Sequence, residues 1–331
     1  MPETASIVIV VLVALLFDFT NGFHDTANAI ATSVSTHALS PRVAVLLAAG
    51  MNFVGAFVTL KVAKTIGGGV AAPSKFTLLM VFAALIGAII WNVFTWRRGL
   101  PSSSSHALIG GLIGVAIVGL GLGGVEWGSV VDKMIIPLVV SPIIGFGLAY
   151  LGMLAIYWAF RGGTPRHLNR NFRVLQIFSA AYVSFSHGTN DAQKTMGLIT
   201  LALVSGGAIP AFKVPIWVII AAAAAMGFGT YAGGWRIIKT VGTRLYKIEP
   251  AEGFDAQTVA ATVIQVAAQF GFPVSTTHVV TGAVLGAGST AHFGAVRWGV
   301  GINIIIAWIL TIPAAAIVAA ILYLILHGLG L

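Results

Sequence analysis

Apolar residues fill ten stretches of this chain, divided by short polar or basic breaks. They run over 4–38, 43–62, 76–96, 102–123 and 134–160, then 172–206, 214–235, 255–270, 274–290 and 297–326. A helix that spans a bilayer needs roughly 20 apolar residues, and most of these stretches approach or exceed that length. The first stretch of each set of five is too long for one straight span, and each carries a polar motif near its middle. Residues 255–270 and 274–290 are short enough to form a re-entrant hairpin. The pattern predicts an all-α membrane protein of about ten spanning or re-entrant segments, or twelve if each long first stretch divides at its motif.

Composition agrees. Hydrophobic residues make up 58% of the 331 residues and charged ones 8%, against roughly 25% charged in a soluble domain. The 40 glycines suit helices that approach closely in lipid. Cysteine is absent, which excludes disulfides and thiolate chemistry. Glu3, with no Lys or Arg before the first apolar run, lacks the basic lead of a cleaved signal peptide and predicts a retained helix. The net charge of +9 lies mostly between apolar stretches, so it reports topology rather than nucleic-acid binding. With ten spans, twelve Lys and Arg residues, including Arg42, Arg97, Arg98, Arg161, Arg236, Lys239, Arg244 and Arg297, fall on one side. Five (Lys61, Lys64, Lys75, Lys133 and Lys213) fall on the other. The basic side is expected in the cytoplasm, with both termini outside.

Two polar motifs recur in order. Phe19, Gly22 and Asp25 match Phe185, Gly188 and Asp191 at a shift of 166. Pro101, a run of hydroxyl residues, His106, Gly110 and Gly114 match Pro273, Ser275 to Thr277, His278, Gly282 and Gly286 at a shift of 172. This is an internal duplication, with residues 1–160 and 174–331 as repeats joined by a basic linker over 161–173. Five stretches per half, or three if the third and fourth form a hairpin, is an odd number. The second half then enters from the opposite side, giving inverted repeats with broken helices, the architecture of secondary transporters.

The motifs have recognisable chemistry. Asp18, Asp25 and Asp191 are the acids well inside apolar stretches, away from their ends. At mid-membrane a carboxylate costs at least about 2.5 kcal/mol, so it normally faces a cavity or partner and suggests cation or proton coupling. Gly22 and Gly188 precede their Asp by three residues and predict unwinding that frees carbonyls for a cation. Pro101 with Ser102 to Ser105, and Pro273 with Ser275, Thr276 and Thr277, predict two helices starting inside the membrane, whose N–H groups and hydroxyls suit a tetrahedral oxyanion. Histidine can carry protons near neutral pH, and His24, His106, His187 and His278 all lie in the motifs. Asn28 follows Asp25 by three residues, where Lys194 follows Asp191. An amide oxygen can ligate sodium; an ammonium repels it and either pairs with Asp191 or attracts an anion.

At these residues the chain resembles the inorganic phosphate transporter (PiT) family. Asn21 to Ala29 (NGFHDTANA) and His187 to Lys194 (HGTNDAQK) are similar to that family's duplicated signature. The resemblance spans nearly the whole chain. It implies inverted repeats, symport of inorganic phosphate across the plasma membrane and a homodimer. It also implies that Asp25, Asn28, Asn190 and Asp191, with Ser103, Ser104, Ser105, Ser275, Thr276 and Thr277, surround phosphate and the coupling cations. His24 and Lys194 stand where sodium-coupled members tend to have Asn. Both departures resemble the bacterial low-affinity Pit branch, which is proton-coupled and accepts metal–phosphate complexes.

The expectation is a multi-pass inner-membrane symporter that imports phosphate, alone or as a divalent-metal complex, with protons. No cofactor and no dedicated metal site are expected. Phosphate is expected to contact the hydroxyl runs, Asn190 and Lys194. Asp25, Asp191, Asn28, Asp18 and His24 are expected to carry the cation or proton. Sodium coupling and a sulfate permease are the nearest rivals, and the Asp pair favours phosphate because phosphate keeps a proton at neutral pH. An intramembrane Ser/His hydrolase has no need of the constellation twice. Accumulation against a gradient would separate the symporter from an anion channel.

Overall fold

The computed structural model describes residues 3–232, 238, 240, 247–291 and 293–330. Arg236, Lys239 and Arg244 of the basic loops lie outside the described residues, as does the side chain of Asn28. The helices are α1 (Glu3–Ser35), α2 (Pro41–Gly55), α3 (Lys61–Gly68), α4 (Leu78–Arg98), α5 (Ser104–Leu120) and α6 (Trp127–Ala159, with a π-turn over Val131–Ile135). They continue with α7 (Pro165–Ser205), α8 (Ile216–Ala232), α9 (Pro250–Phe270), α10 (Thr276–Ala291) and α11 (Trp298–Gly328). By length and composition α1, α4, α6 and α11 can each cross a membrane, while α2, α5 and α8 are shorter and apolar. With 41 residues, α7 is about 61 Å long, twice the hydrocarbon thickness, so its ends stand outside the apolar layer.

The chain breaks where hydroxyl runs begin, not at the Gly/Asp motifs. Gly99 and Gly271 are left-handed, at φ 65° and 79°, and end α4 and α9 with the same cap. Leu100 N–H donates to Thr95 C=O at 3.0 Å, and Phe272 N–H to Ala267 C=O at 2.9 Å. Only glycine adopts this backbone without strain, and the Pro that follows prevents the helix from resuming. Thus α4–α5 and α9–α10 are two matching hairpins whose second helices begin in the protein interior.

The expected unwinding at Gly22 and Gly188 does not occur, since α1 and α7 run through both residues as continuous helices. The glycines serve close approach instead. A Cβ at Gly22 would sit 2.6 Å from Met226 C=O and 2.8 Å from Thr230 N, on α8. One at Gly188 would sit 2.6 Å from Asn52 Cα, on α2. Intact backbone bonds satisfy every amide at that depth, and backbone-to-backbone contact substitutes for a hydrophobic drive that lipid does not provide.

Helices related by the sequence shifts make matching contacts. First-half α1 crosses second-half α8, and second-half α7 crosses first-half α2. Gly110 and Gly114 of α5 meet the backbone of Ile312 and Ala316 on α11; Gly282 and Gly286 of α10 meet Pro142 and Phe146 on α6. The equivalent helices α1 and α7 run antiparallel. Gly206, just beyond α7, lies against Ile7 near the start of α1, while Arg166, Arg170 and Arg173 near the start of α7 share a recess with His37 beyond the end of α1.

Candidate functional site

Midway along α1 and α7, the motif side chains meet the tips of both hairpins. Asp25 and Asp191 are buried, as are Ser102 to Ser105 and Ser275 to Thr277. Asp25 accepts hydrogen bonds from the hydroxyls of Ser104 and, at 3.0 Å, Thr277, and lies 2.6 Å from His24 Nδ1. Asp191 accepts from Lys194 Nζ at 2.5 Å, Thr276 Oγ1 at 3.1 Å and Asn21 Nδ2 at 3.4 Å. His187 Nε2 lies 3.3 Å from the same carboxylate.

Asp25 is therefore tied directly to both hairpins, whereas Asp191 bonds directly only to the second. Ser104 and Thr276 bind the Asp of their own half, while Thr277 crosses to Asp25 of the other. By symmetry Ser105 should cross to Asp191, but Lys194 stands between them and donates to both. Its third donor goes to Val274 C=O at 3.1 Å. A fully buried ammonium is tolerable when all three donors are matched and a carboxylate is adjacent. Thus Lys194 does pair with Asp191, and also reaches the first hydroxyl run at Ser105.

Other candidates take more specific places. Ser103 and Ser275 are helix caps, accepting from His106 N–H at 3.1 Å and His278 N–H at 3.3 Å, which leaves each hydroxyl proton for another acceptor. Asn190 donates to Phe272 C=O at 3.0 Å, and its carbonyl oxygen has no hydrogen-bond partner among the described residues. His24 bridges Asp25 and Thr95, the latter at 3.3 Å. Asp18 is buried near Thr195 and Asn21, and neither carboxylate oxygen has a hydrogen-bond donor within 3.5 Å among the described residues. An ionised carboxylate left so is costly, which makes Asp18 a natural place for a proton or cation.

Asn21 was not among the sequence candidates, whereas His187 was, as a motif histidine able to carry a proton. Asn21 accepts from Ser104 at 2.7 Å and donates to Asp191, linking the two carboxylate systems. His187 Nδ1 lies 2.9 Å from Asn52 Oδ1. Asn21 and His187 are equivalent under the 166 shift, a signal that polar residues at both positions could have raised. The rings of His106 and His278 stack at 4.3 Å, with Trp308 at 3.7 Å from His278, so these two histidines join the hairpin tips to each other rather than to the carboxylates. One donor atom each from Asp25, His187 and Asp191 lies within 4.8 Å of the others. No dedicated metal site was expected, yet these three could hold a small cation between the halves.

Buried carboxylates, hydroxyls at two interior helix starts and one ammonium suit an oxyanion together with a cation or proton. Residues 21–319 match the phosphate transporter family. The chain belongs to that family. It is a family of transporters, not enzymes, and phosphate is its substrate. Three proteins, each called "Probable low-affinity inorganic phosphate transporter", are similar along nearly the whole chain. That of Rhizobium meliloti (strain 1021) is 48% identical, covering 95% of this chain and 94% of the relative. That of Bacillus subtilis (strain 168) is 46% identical, covering 97% of each. That of Mycobacterium bovis (strain ATCC BAA-935 / AF2122/97) is 50% identical, covering 98% of this chain and 78% of the relative. Among solved structures, one described as the sodium-dependent phosphate transporter superposes with a TM-score of 0.87 at 26% identity, over 98% of this chain and 99% of the other.

Proposed function

We propose that this family member imports inorganic phosphate across the plasma membrane by proton-coupled symport, through two inverted repeats. The antiparallel run of α1 and α7 supports the inverted arrangement. The observation that carries the coupling is that Ser104, Thr276 and Thr277 donate their hydroxyl protons to Asp25 and Asp191. An ionised carboxylate competes with phosphate for those donors. Protonating Asp25 weakens its hold on Ser104 and Thr277, and phosphate that draws Lys194 away from Asp191 leaves that carboxylate ready for a proton, so the hydroxyls turn to phosphate with Asn190 beside them. Proton and anion then bind together and leave together, and a ligand shifts the conformational equilibrium only through such differential affinity. His24 and Asp18 lie where they can pass or hold the proton, and Asn28 belongs to the same motif.

A second reading is sodium coupling. It is favoured by the Asp25, His187 and Asp191 cluster and by the sodium dependence in the description of the solved relative. The same cluster would also seat the metal of a divalent-metal phosphate. Against sodium stands Lys194, whose ammonium is 2.5 Å from Asp191 and repels a nearby cation.

The test is uptake per folded molecule for Asp25→Asn and Asp191→Asn. Asn retains the shape of the side chain but cannot titrate. Each variant should lose concentrative uptake while phosphate exchange at equal concentrations persists. Near-wild-type accumulation in either would remove that Asp from coupling.

A further inference from the structure

On the face where α7 begins there is a recess of about 580 Å³, remote from the carboxylates. It is walled by Arg166, Arg170 and Arg173 on α7 and by His37 in the loop after α1. The spacing of four and three residues puts the arginines on one face of the helix, and Ile177, four residues further, continues that face. All three arginines are exposed. Among the described residues none of them makes an ion pair. His37 has a positive φ of 57°, an uncommon conformation for a side chain other than glycine, and it brings the imidazole to this wall.

Below the arginines the surface turns apolar. Val174 and Ile177 line the same recess, and Phe178 is 68% exposed. Depth is marked by Trp158 near the end of α6, with Arg161 5.9 Å from its ring. Such an aromatic–cation pair sits at the headgroup level of a bilayer. Unpaired cations at headgroup depth, continuous with an exposed apolar strip that runs toward the hydrocarbon, match an amphiphile with an anionic head. A free anion would use the cations and have no use for the strip.

We propose that this recess binds an anionic phospholipid, its phosphate held by Arg166, Arg170 and Arg173 and its acyl chain lying on Val174, Ile177 and Phe178. Guanidinium groups suit a phosphodiester through paired N–H donors, and basic pockets between membrane helices on the cytoplasmic side take such headgroups.

The test is native mass spectrometry of the full-length, delipidated protein, titrated with phosphatidylglycerol or with phosphatidylcholine of the same chains. Phosphatidylglycerol should bind at least about tenfold more tightly. Each cation near an anionic headgroup strengthens binding about fivefold, so Arg166→Gln/Arg170→Gln/Arg173→Gln together should weaken it on the order of one hundredfold. Arg→Lys at the three positions keeps the charge and loses the paired donors, so it should retain the preference for phosphatidylglycerol and bind more tightly than the triple Gln variant but less tightly than the wild type. Lys64→Gln/Lys75→Gln/Lys133→Gln, which removes three exposed cations elsewhere, should change nothing. If the triple Gln variant does not fold, Arg170→Gln alone should show the fivefold loss. Equal binding of the two lipids, or undiminished phosphatidylglycerol binding in the Gln variants, would overturn the proposal. Displacement of the lipid by excess inorganic phosphate would also overturn it, by making the recess a free-phosphate site.

Discussion

Lys194 is buried with all three donors engaged, and Asp191 depends on it. Lys194→Met keeps the aliphatic length and removes the ammonium. It deletes the 2.5 Å bond to Asp191, the bond to Ser105 and the 3.1 Å bond to Val274 C=O. Removing one partner from a buried ion pair costs about 3–5 kcal/mol, chiefly because the other charge is left uncompensated. Asp191 retains Thr276 and Asn21 as hydrogen-bond donors, at 3.1 Å and 3.4 Å, with His187 Nε2 3.3 Å away, so a loss within that range is expected. Asp191→Asn in the same chain removes the stranded charge and should restore most of the loss. The double-mutant cycle should give a coupling of at least about 2 kcal/mol. The assay is denaturant titration in lipid–detergent micelles for the wild type, both single variants and the double. A Lys194→Met protein as stable as the wild type, or a double variant whose loss is the sum of the singles, would refute the pairing.

Two further outcomes follow from the hairpin tips and the helix crossings. Ser104→Ala with Thr276→Ala removes one hydroxyl from each interior helix start and should weaken phosphate affinity about tenfold or more per residue, since a hydrogen bond to a charged group contributes about 1.5–3 kcal/mol. Unchanged affinity, measured by equilibrium binding, would reduce those hydroxyls to carboxylate ligands. Gly22→Ala should destabilise the fold by about 1–3 kcal/mol through overpacking against Met226 and Thr230, whereas Gly50→Ala, which meets nothing within 4 Å, should be neutral or stabilising in the same unfolding assay.

Much of this arrangement was legible in the sequence. The shifts of 166 and 172 located both carboxylates and both hydroxyl runs, and the apolar stretches fall on the helices. The hairpins were legible because Gly99-x-Pro101 and Gly271-x-Pro273 stop helices by local chemistry. Gly22 and Gly188 were misread because an unwound turn and a close crossing leave the same mark, a small residue beside polar ones. Only the partner helix tells them apart, and α8 and α2 are distant in sequence. For the same reason the role of Asn21 was obscure, since a bond between positions 170 apart leaves no periodicity.

Proton coupling is the central claim, and gradients imposed separately on proteoliposomes test it most directly. With equal sodium inside and out, an inward proton gradient should drive accumulation of labelled phosphate above equilibrium. An inward sodium gradient at uniform pH should give little stimulation. Strong accumulation under the sodium gradient alone, with none under the proton gradient, would contradict the account and assign the Asp25, His187 and Asp191 cluster to sodium.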